Sequence, residues 1–408
     1  MSVLSGKKIL LGISGGIAAY KTTYLTRLFI KSGAEVKIVM TPASKDFVTP
    51  LTLSTLSKNP VHSAFFDSEN ENELWNNHVD LALWADYMLI APATANTLSK
   101  MANGTSDNLL LACYLSAKCK VYFAPAMDLD MYKHPSTKKS LETLQEFGNI
   151  IIPATSGELA SGLVGEGRMA EPEDIISFIE KDVLSKLPLR DKTVLITAGP
   201  TYQDIDPVRF IGNRSTGKMG FALAHQAANL GAKVILIAGP SHEKVNHSFI
   251  NRINVRSAEE MYQEVHKHFK NADIVIASAA VADFTPATVS EQKIKKKAGK
   301  MQIDLVPTKD ILASLGKEKG NQFLVGFALE TNNELENAIG KLERKNLDLI
   351  VLNSLQDKGA GFAGTTNKIT LIDRDKNKKE FPLKSKKDVA KDIFDFILKK
   401  KIEISFSE

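Results

Sequence analysis

The chain has 408 residues, of which 43% are apolar and 24% charged, with a formal charge of +5. This is the composition of an ordinary globular protein, long enough for about two to three domains, and the charge is too small to argue for nucleic acid by itself. Two cysteines, Cys113 and Cys119, exclude a disulfide scaffold, fit a reducing cytoplasm and read as packed small residues.

The N-terminus, "MSVLSGKKILLGIS", runs straight into strand-like sequence. It shows no signal peptide, and no apolar run in the chain is long enough to span a bilayer. The first half predicts strands at "KKILLGIS" (7–14), "AEVKIVMT" (34–41), "ADYMLIAPAT" (85–94) and "CKVYFAPAM" (119–127). Helical stretches lie between them, such as "AAYKTTYLTRLFIKSG" (18–33) with Gly33 as its C-cap. The second half repeats the plan at 192–200, 232–240, 272–283, 323–331 and 347–354. Near-continuous apolar strands alternating with helices predict parallel sheets covered on both faces. The charged, proline-bearing stretch "EKDVLSKLPLRDK" (180–192) marks the join. The expected architecture is two open parallel-sheet α/β domains, 1–187 and 188–408.

Ligands in such sheets bind at the carboxyl ends of the strands, and the unusual residues collect there. "GISGGIAAYK" (12–21) and "TAGPTYQDIDPVRFIGNRSTGKMG" (197–220) each follow a first strand. Glycine-rich turns feeding a helix can cradle phosphate through backbone N–H groups. The second strands end in "KIVMTPAS" and "VILIAGPS", with no carboxylate for a dinucleotide ribose. A mononucleotide in each half is the better reading, which disfavours an NAD oxidoreductase. The spacing of "GNRSTGKMG" is not that of a Walker loop. In "APAMDLDMY" (124–132) a strand opens into two methionines and two aspartates. Taken alone, Asp128 is a solvated turn residue, and His78 in "WNNHVDL" is a half-exposed helix histidine.

Taken together and in order, these motifs resemble the bifunctional phosphopantothenoylcysteine decarboxylase/phosphopantothenate–cysteine ligases of bacterial coenzyme A synthesis, over nearly the full length. Residues 1–185 resemble the flavin-dependent cysteine decarboxylases through "GISGGIAAYK", "NHVDLALWAD", "APATANTLSKMANGTSDNLL", "PAMDLDMY" and the lid "SGELASGLVGEGRM" (156–169). The resemblance implies FMN between subunits of a trimer, touched by Ser14, Gly15, Phe47, Thr94, Ala95, Asn96 and Thr97. It makes His78 catalytic and places Met131, Arg168 and Met169 at the substrate and lid. Oxidation of the cysteine thiol to a thioaldehyde creates an electron sink beside the carboxylate, carbon dioxide leaves, and the enethiolate is reduced. Imidazole serves as acid or base near neutral pH.

Two positions depart from the family pattern. Asp128 stands where the family has Asn, and Ser161 where the lid has Cys. An amide donates a hydrogen bond to the substrate carboxylate and an ionised Asp cannot; a serine hydroxyl is far less acidic than a thiol. One reading is a retuned site, with Asp128 protonated between apolar Met127 and Met131 and serving as the acid. The other is a decayed site, leaving a ligase on an inactive flavin scaffold. His78 and the rest of the lid, including Gly165, Gly167, Arg168 and Met169, are intact and favour the first.

Residues 190–400 resemble the ligase. It joins 4′-phosphopantothenate to cysteine by way of an acyl nucleotidylate, and the bacterial branch uses CTP with magnesium. Asn213 matches the residue that holds the activated carbonyl, and Ser215, Thr216 and Gly217 offer hydroxyls and N–H groups to phosphate. "KIKKK" (293–297) on composition is a solvated basic loop; its place ten residues after Asp283, as in the family, makes Lys293 the lysine at the phosphates. Asp283 is placed for the ribose. Ala277, Ser278, Ala279, Asp310 in the stretch 308–311, Phe327, Lys341 and Lys345 match the CTP pocket. No Cys/His spacing marks a dedicated metal site. The resemblance further implies a homo-oligomer, a dodecamer of trimers and dimers. The expected partners are small molecules, with no nucleic acid and no membrane, in the cytoplasm.

Overall fold

The computed structural model describes residues 2–66, 75–245, 247–295, 301–330, 332–354 and 364–405. The chain divides into two compact units, Met1–Ser185 and Lys186–Glu408.

In the first unit six parallel strands form one sheet: β1 (Lys8–Ile13), β2 (Glu35–Met40), β3 (Val61–His62), β4 (Tyr87–Ala93), β5 (Lys120–Pro125) and β6 (Ile150–Ile151). Their order is β3-β2-β1-β4-β5-β6. After Lys8 every residue of β1 is buried, as expected of a strand covered on both faces. The expected helix at 18–33 is a 3-10 turn at Ile17–Tyr20 running into an α-helix at Lys21–Lys31. Gly33 follows with φ +84, and a Cβ there would stand 2.8 Å from Ser5 Oγ, so this helix end requires glycine. Helix Pro172–Ser185 closes the unit, burying Ile175, Ile176, Ile179 and Val183 on one stripe, each worth about 1.5–3 kcal/mol. The lid is an antiparallel hairpin of β7 (Thr155–Glu158) and β8 (Val164–Arg168).

In the second unit the chain forms β9 (Thr193–Ala198), the hairpin β10 (Tyr202–Asp204) and β11 (Phe210–Gly212), then β12 (Lys233–Ala238), β13 (Ile250–Asn254) and β14 (Ile274–Ala277). A second hairpin, β15 (Phe284–Pro286) with β16 (Leu305–Pro307), precedes β17 (Phe323–Glu330) and β18 (Leu349–Ser354). The short pair β19 (Thr366–Asn367) and β22 (Lys384–Ser385) brackets β20 (Ile369–Asp373) and β21 (Lys378–Glu380). The main sheet runs β13-β12-β9-β14-β17-β18-β20-β21. It is parallel through β18, but β20 and β21 add antiparallel strands at one edge, which the expectation of a wholly parallel sheet did not include.

In both sheets the chain leaves its first strand in one direction and later returns to the other side of it. Between β1 and β4, and between β9 and β14, the loops therefore diverge and open a crevice. Among the described residues no helix is long and apolar enough to cross a membrane.

Candidate functional site

In the first unit a cleft of about 1000 Å³ opens at the carboxyl ends of β1, β2, β4 and β5. Gly15 lines it, and a Cβ there would meet Ala43 Cβ at 2.9 Å; a bare backbone is therefore presented to the cavity. Thr94, Ala95, Asn96 and Thr97 also line it, as the N-cap and first turn of helix Ala95–Ala102. Ser14 does not reach the cavity. It is buried, its hydroxyl donates to the Pro92 carbonyl at 2.6 Å, and the Thr94 N–H donates back to it at 3.1 Å. It thus fixes the start of the helix. Phe47 is exposed and lies outside the lining.

The far wall carries Met127, Asp128, Met131, Ser161, Arg168 and Met169. Asp128 is the N-cap of the short helix Leu129–Lys133, yet its side chain makes no capping hydrogen bond. It is half-buried and Met131 is exposed, so one copy of the chain does not enclose the carboxyl between methionines. Ser161 sits exposed in the tip of the lid hairpin, beside Gly162 at φ +83. The sequence reading missed Lys21. Its buried ammonium lines the cleft and donates to the Met169 carbonyl at 3.1 Å and to Glu171 at 2.9 Å. The Lys21 hydrogen bond, with Arg168 at 2.7 Å, holds the Glu171 carboxyl below its ordinary range. Only its place in "GGIAAYK" signalled it.

His78 is not brought to this cleft. It opens helix His78–Trp84, whose N-cap Asn77 accepts from the N–H groups of Val79 and Asp80. Its ring stands edge-on to Phe65 and Trp75, with centroids at 6.0 and 6.3 Å, and its buried Nδ1 has no partner. Phe66, Trp75, Val79 and Leu83 nearby in the chain are exposed. Cys113 is buried and its thiol is pushed up to about 12, as a packed small residue should be.

In the second unit a cleft of about 610 Å³ lies at the carboxyl ends of β9, β14, β17 and β18. It gathers Asn213, Ser215, Ala277, Ser278, Ala279, Asp283, Asp310, Phe327, Lys341 and Lys345 from stretches up to 132 residues apart (345 less 213). Asn213 donates to the carbonyls of Ala280 and Val281 at 3.0 and 3.1 Å. Asp310 caps helix Ile311–Glu318 and pairs with Lys345 at 2.8 Å. Lys341 donates to the Phe327 carbonyl at 2.8 Å, and burial pushes its pKa down. Thr216 lies behind the lining, its carbonyl accepting from Ser241.

Lys293 is exposed and outside the cleft; Lys296 and Lys297 of the same run lie outside the described residues. The neighbouring Ile294 is tied down. Its N–H donates to Asp206 at 3.1 Å and its carbonyl accepts from Arg209 at 2.9 Å. Asp206 is buried, accepts from two further backbone N–H groups and pairs with Arg209. That guanidinium holds the Asp206 carboxyl far below its ordinary range. The sequence reading also missed Lys218, Asn353, Asn367 and Lys386, which line the same cleft.

Residues 2–184 match the family model described as Flavoprotein, and residues 189–401 match that of the DNA/pantothenate metabolism flavoprotein C-terminal domain. The coenzyme A biosynthesis bifunctional protein CoaBC of Bacillus subtilis is 46% identical over 96% of both chains. A relative from an unknown prokaryotic organism, named a cysteine/cysteine sulfinic acid decarboxylase, is 57% identical over 86% of this chain and 99% of its own. Among solved structures, the C-terminal domain of a coenzyme A biosynthesis bifunctional protein CoaBC is 41% identical, covering 53% of this chain and 100% of its own at a TM-score of 0.46.

Proposed function

The chain belongs to the family of the coenzyme A biosynthesis bifunctional proteins, and on that premise we propose that it performs two successive steps. The second unit joins 4′-phosphopantothenate to cysteine at the expense of CTP, and the first decarboxylates the product to 4′-phosphopantetheine. The observation that carries this reading is that each unit has its own cleft at a sheet's carboxyl edge, lined by that unit's motif residues.

FMN fits the first cleft. The bare backbone at Gly15 and the helix N-terminus at Thr94–Thr97 suit a flavin's ribityl chain and single phosphate. Bound there, FMN would supply the two-electron sink that lets the substrate lose carbon dioxide. Asp128 and Arg168 face the cavity to receive and orient the substrate. Ser161 offers a hydroxyl at the mouth. His78 completes the site from a second copy of the chain: its ring lies away from its own cleft, within a stretch of exposed apolar residues. The trimer and the dodecamer built from it belong to this same reading.

In the second cleft the carboxylate must be activated before an amine can attack it. Asn213 meets the carbonyl, Asp283 the ribose, and Lys341 and Lys345 the charge of the nucleotide; magnesium would arrive with the triphosphate. Lys293, the lysine that the resemblance assigns to the phosphates, lies outside the cleft lining.

Incubating the purified chain with 4′-phosphopantothenate, cysteine, CTP and magnesium should release diphosphate and then carbon dioxide. Diphosphate without carbon dioxide would reduce the protein to a ligase on a flavin scaffold. Turnover with ATP equal to that with CTP would remove the nucleotide assignment. Lys293→Gln should abolish diphosphate release and leave decarboxylation of added phosphopantothenoylcysteine intact.

The relative at 57% identity favours a second reading of the first cleft, decarboxylation of free cysteine or its sulfinate. Asp128 and Ser161, the two departures, are where a changed substrate would register. Cysteine sulfinate has no thiol to oxidise, so of the two only cysteine suits a route that begins at sulfur. Comparing kcat/KM for cysteine, cysteine sulfinate and phosphopantothenoylcysteine separates the readings.

A further inference from the structure

Lys21 stands where a lysine is doubly unfavourable. It is the first residue of helix Lys21–Lys31, the end at which the helix dipole opposes a cation, and its side chain is only 7% exposed. Apolar replacement of a buried ion pair is often neutral or stabilising, so stability of the fold does not account for this ammonium. What it holds does. It grips the root of the lid hairpin at two points, the Met169 carbonyl at 3.1 Å and the Glu171 carboxylate at 2.9 Å. The same carboxylate oxygen, Oε1, accepts from Arg168 Nη2 at 2.7 Å. Glu171 thus joins a cation from the glycine-rich side of the first cleft to a cation from the lid. Both cations line the cavity and Glu171 itself does not.

Arg168 is constrained along its length. Its carbonyl accepts from the Thr155 hydroxyl at 3.3 Å, across the hairpin. Its guanidinium passes over Gly157 of β7, where a Cβ would stand 3.5 Å from Nη1. Glu171 takes Nη2, but a guanidinium carries five N–H donors, so donors remain for a ligand in the cavity. The planar fork matches a carboxylate. Two cations sharing one carboxylate leave this corner with a formal positive charge in excess. The other cation of the lining, Lys100, is already matched one to one by Asp107 at 2.5 Å. Asp128, in the same wall, donates nothing while it is ionised. A carboxylate entering the cleft therefore finds its partner in Arg168.

We propose that Lys21 and Glu171 are positioning residues of the first cleft, which together set the Arg168 guanidinium to receive the carboxylate of the substrate's cysteine moiety. This rests on the decarboxylase reading above. It holds for every substrate considered there, since phosphopantothenoylcysteine, cysteine and cysteine sulfinate all carry that carboxylate. The work of Lys21 and Glu171 passes through Arg168. Without them the guanidinium swings free at the rim, and the carboxylate is met in the wrong orientation or not at all. None of the three side chains makes or breaks a bond.

The test uses the full, FMN-loaded chain and two pairs of thiol-free probes, each pair differing by the carboxylate alone. One pair is N-(4′-phosphopantothenoyl)serine and N-(4′-phosphopantothenoyl)ethanolamine; the other is serine and ethanolamine. Calorimetry on wild type should show the carboxylate preferred by about tenfold or more in at least one pair, the worth of a hydrogen bond to a charged group. Arg168→Ala should remove that preference. Lys21→Met and Glu171→Gln should each remove most of it, while affinity for the probe without a carboxylate stays within about twofold; general loss of structure would weaken both probes alike. Lys21→Arg should restore part of the preference. Glu171→Gln added to Arg168→Ala should cost nothing further, because the first acts through the second. Should Lys21→Met fold poorly, Glu171→Gln reads the same link from a position that is 42% exposed. A preference that survives Glu171→Gln, an equal loss of affinity for both probes, or a wild type with no preference in either pair would each overturn the proposal. A wild type that prefers the carboxylate but releases no carbon dioxide from any of the substrates would sink the decarboxylase reading alone.

Discussion

The backbone N–H of Met127 donates to the carbonyl of Gly167 at 3.0 Å, and a Cβ on Gly167 would stand 2.5 Å from the Met127 carbonyl oxygen. Beside them a Cβ on Gly165 would meet Leu129 at 2.5 Å. The lid hairpin and the loop bearing Asp128 are thus docked backbone to backbone, and the glycines of "GEGR" are what allows it.

Gly167→Ala should break this docking. With φ +140 and no room for a Cβ, it should cost about 1–3 kcal/mol. The first unit should lose FMN and carbon dioxide release while ligation continues. Flavin absorbance after gel filtration and a thermal melt check it; a fully flavinated, active variant would contradict the docking argument.

Asp128 and Ser161 face one cavity from opposite supports, a strand end and a hairpin tip. Asp128→Ala should reduce decarboxylation on the order of 10²-fold or more and leave ligation untouched. Asp128→Asn should keep substrate binding. Ser161→Cys, placing a more acidic group at the mouth, should speed the last reduction, seen as less enethiol accumulating in product analysis. Normal carbon dioxide release from Asp128→Ala would return this residue to a solvated turn.

Asp206 anchors the segment that carries Lys293. Its folded pKa lies below its unfolded one, so its stabilising contribution is full above the ordinary carboxylate pKa of about 3.9 and is lost as pH falls toward the folded value. Asp206→Asn should therefore be less stable than wild type at neutral pH, and the gap should close below about pH 4. Melting temperatures across pH 3–7 (roughly the carboxylate range) read this. The same variant should slow diphosphate release with little change in the KM for cysteine.

Lys341 behaves in the opposite sense. Its folded pKa is lowered, chiefly by burial, so the ionised form is penalised in the fold. That penalty fades as pH rises through the folded pKa toward the unfolded value of about 10.4. Stability of wild type relative to Lys341→Met should rise with pH over that alkaline window, while the CTP binding proposed above, which would use the charge, should weaken there. Urea melts and nucleotide titrations at neutral pH and at about pH 10, near the unfolded value, would show both trends, and a pH-independent difference between the proteins would refute the assignment.

The long buried strands were legible because their apolar runs are continuous: β1, β4, β9 and β17 announce themselves. Val61–His62 and Ile150–Ile151 were not, since two residues carry no period. The antiparallel β20 and β21 were not expected, since the second half was read only as a repeat of the first half's parallel plan. In the sites, motif residues clustered in sequence were found. Lys21 was quoted within a motif and given no role, because its work is to hold Met169 and Glu171, 148 and 150 residues away. Lys386 reads as one more lysine in "LKSKKD" until folding sets it beside Lys218. His78 shows the converse: its role was read from a resemblance, yet its own cleft does not contain it.

The main sheet of the second unit stops at β21, whose residues Lys378, Lys379 and Glu380 are all exposed. Lys379 and Lys384 lie over the Phe381 ring at 5.1 and 5.4 Å, keeping charge at the rim where the ladder runs out. A terminal strand is an open template for another chain's backbone, and lysine there is an effective deterrent because a ninth strand would have to bury it. The exposed lysines therefore make this edge a poor template for lateral growth of the sheet.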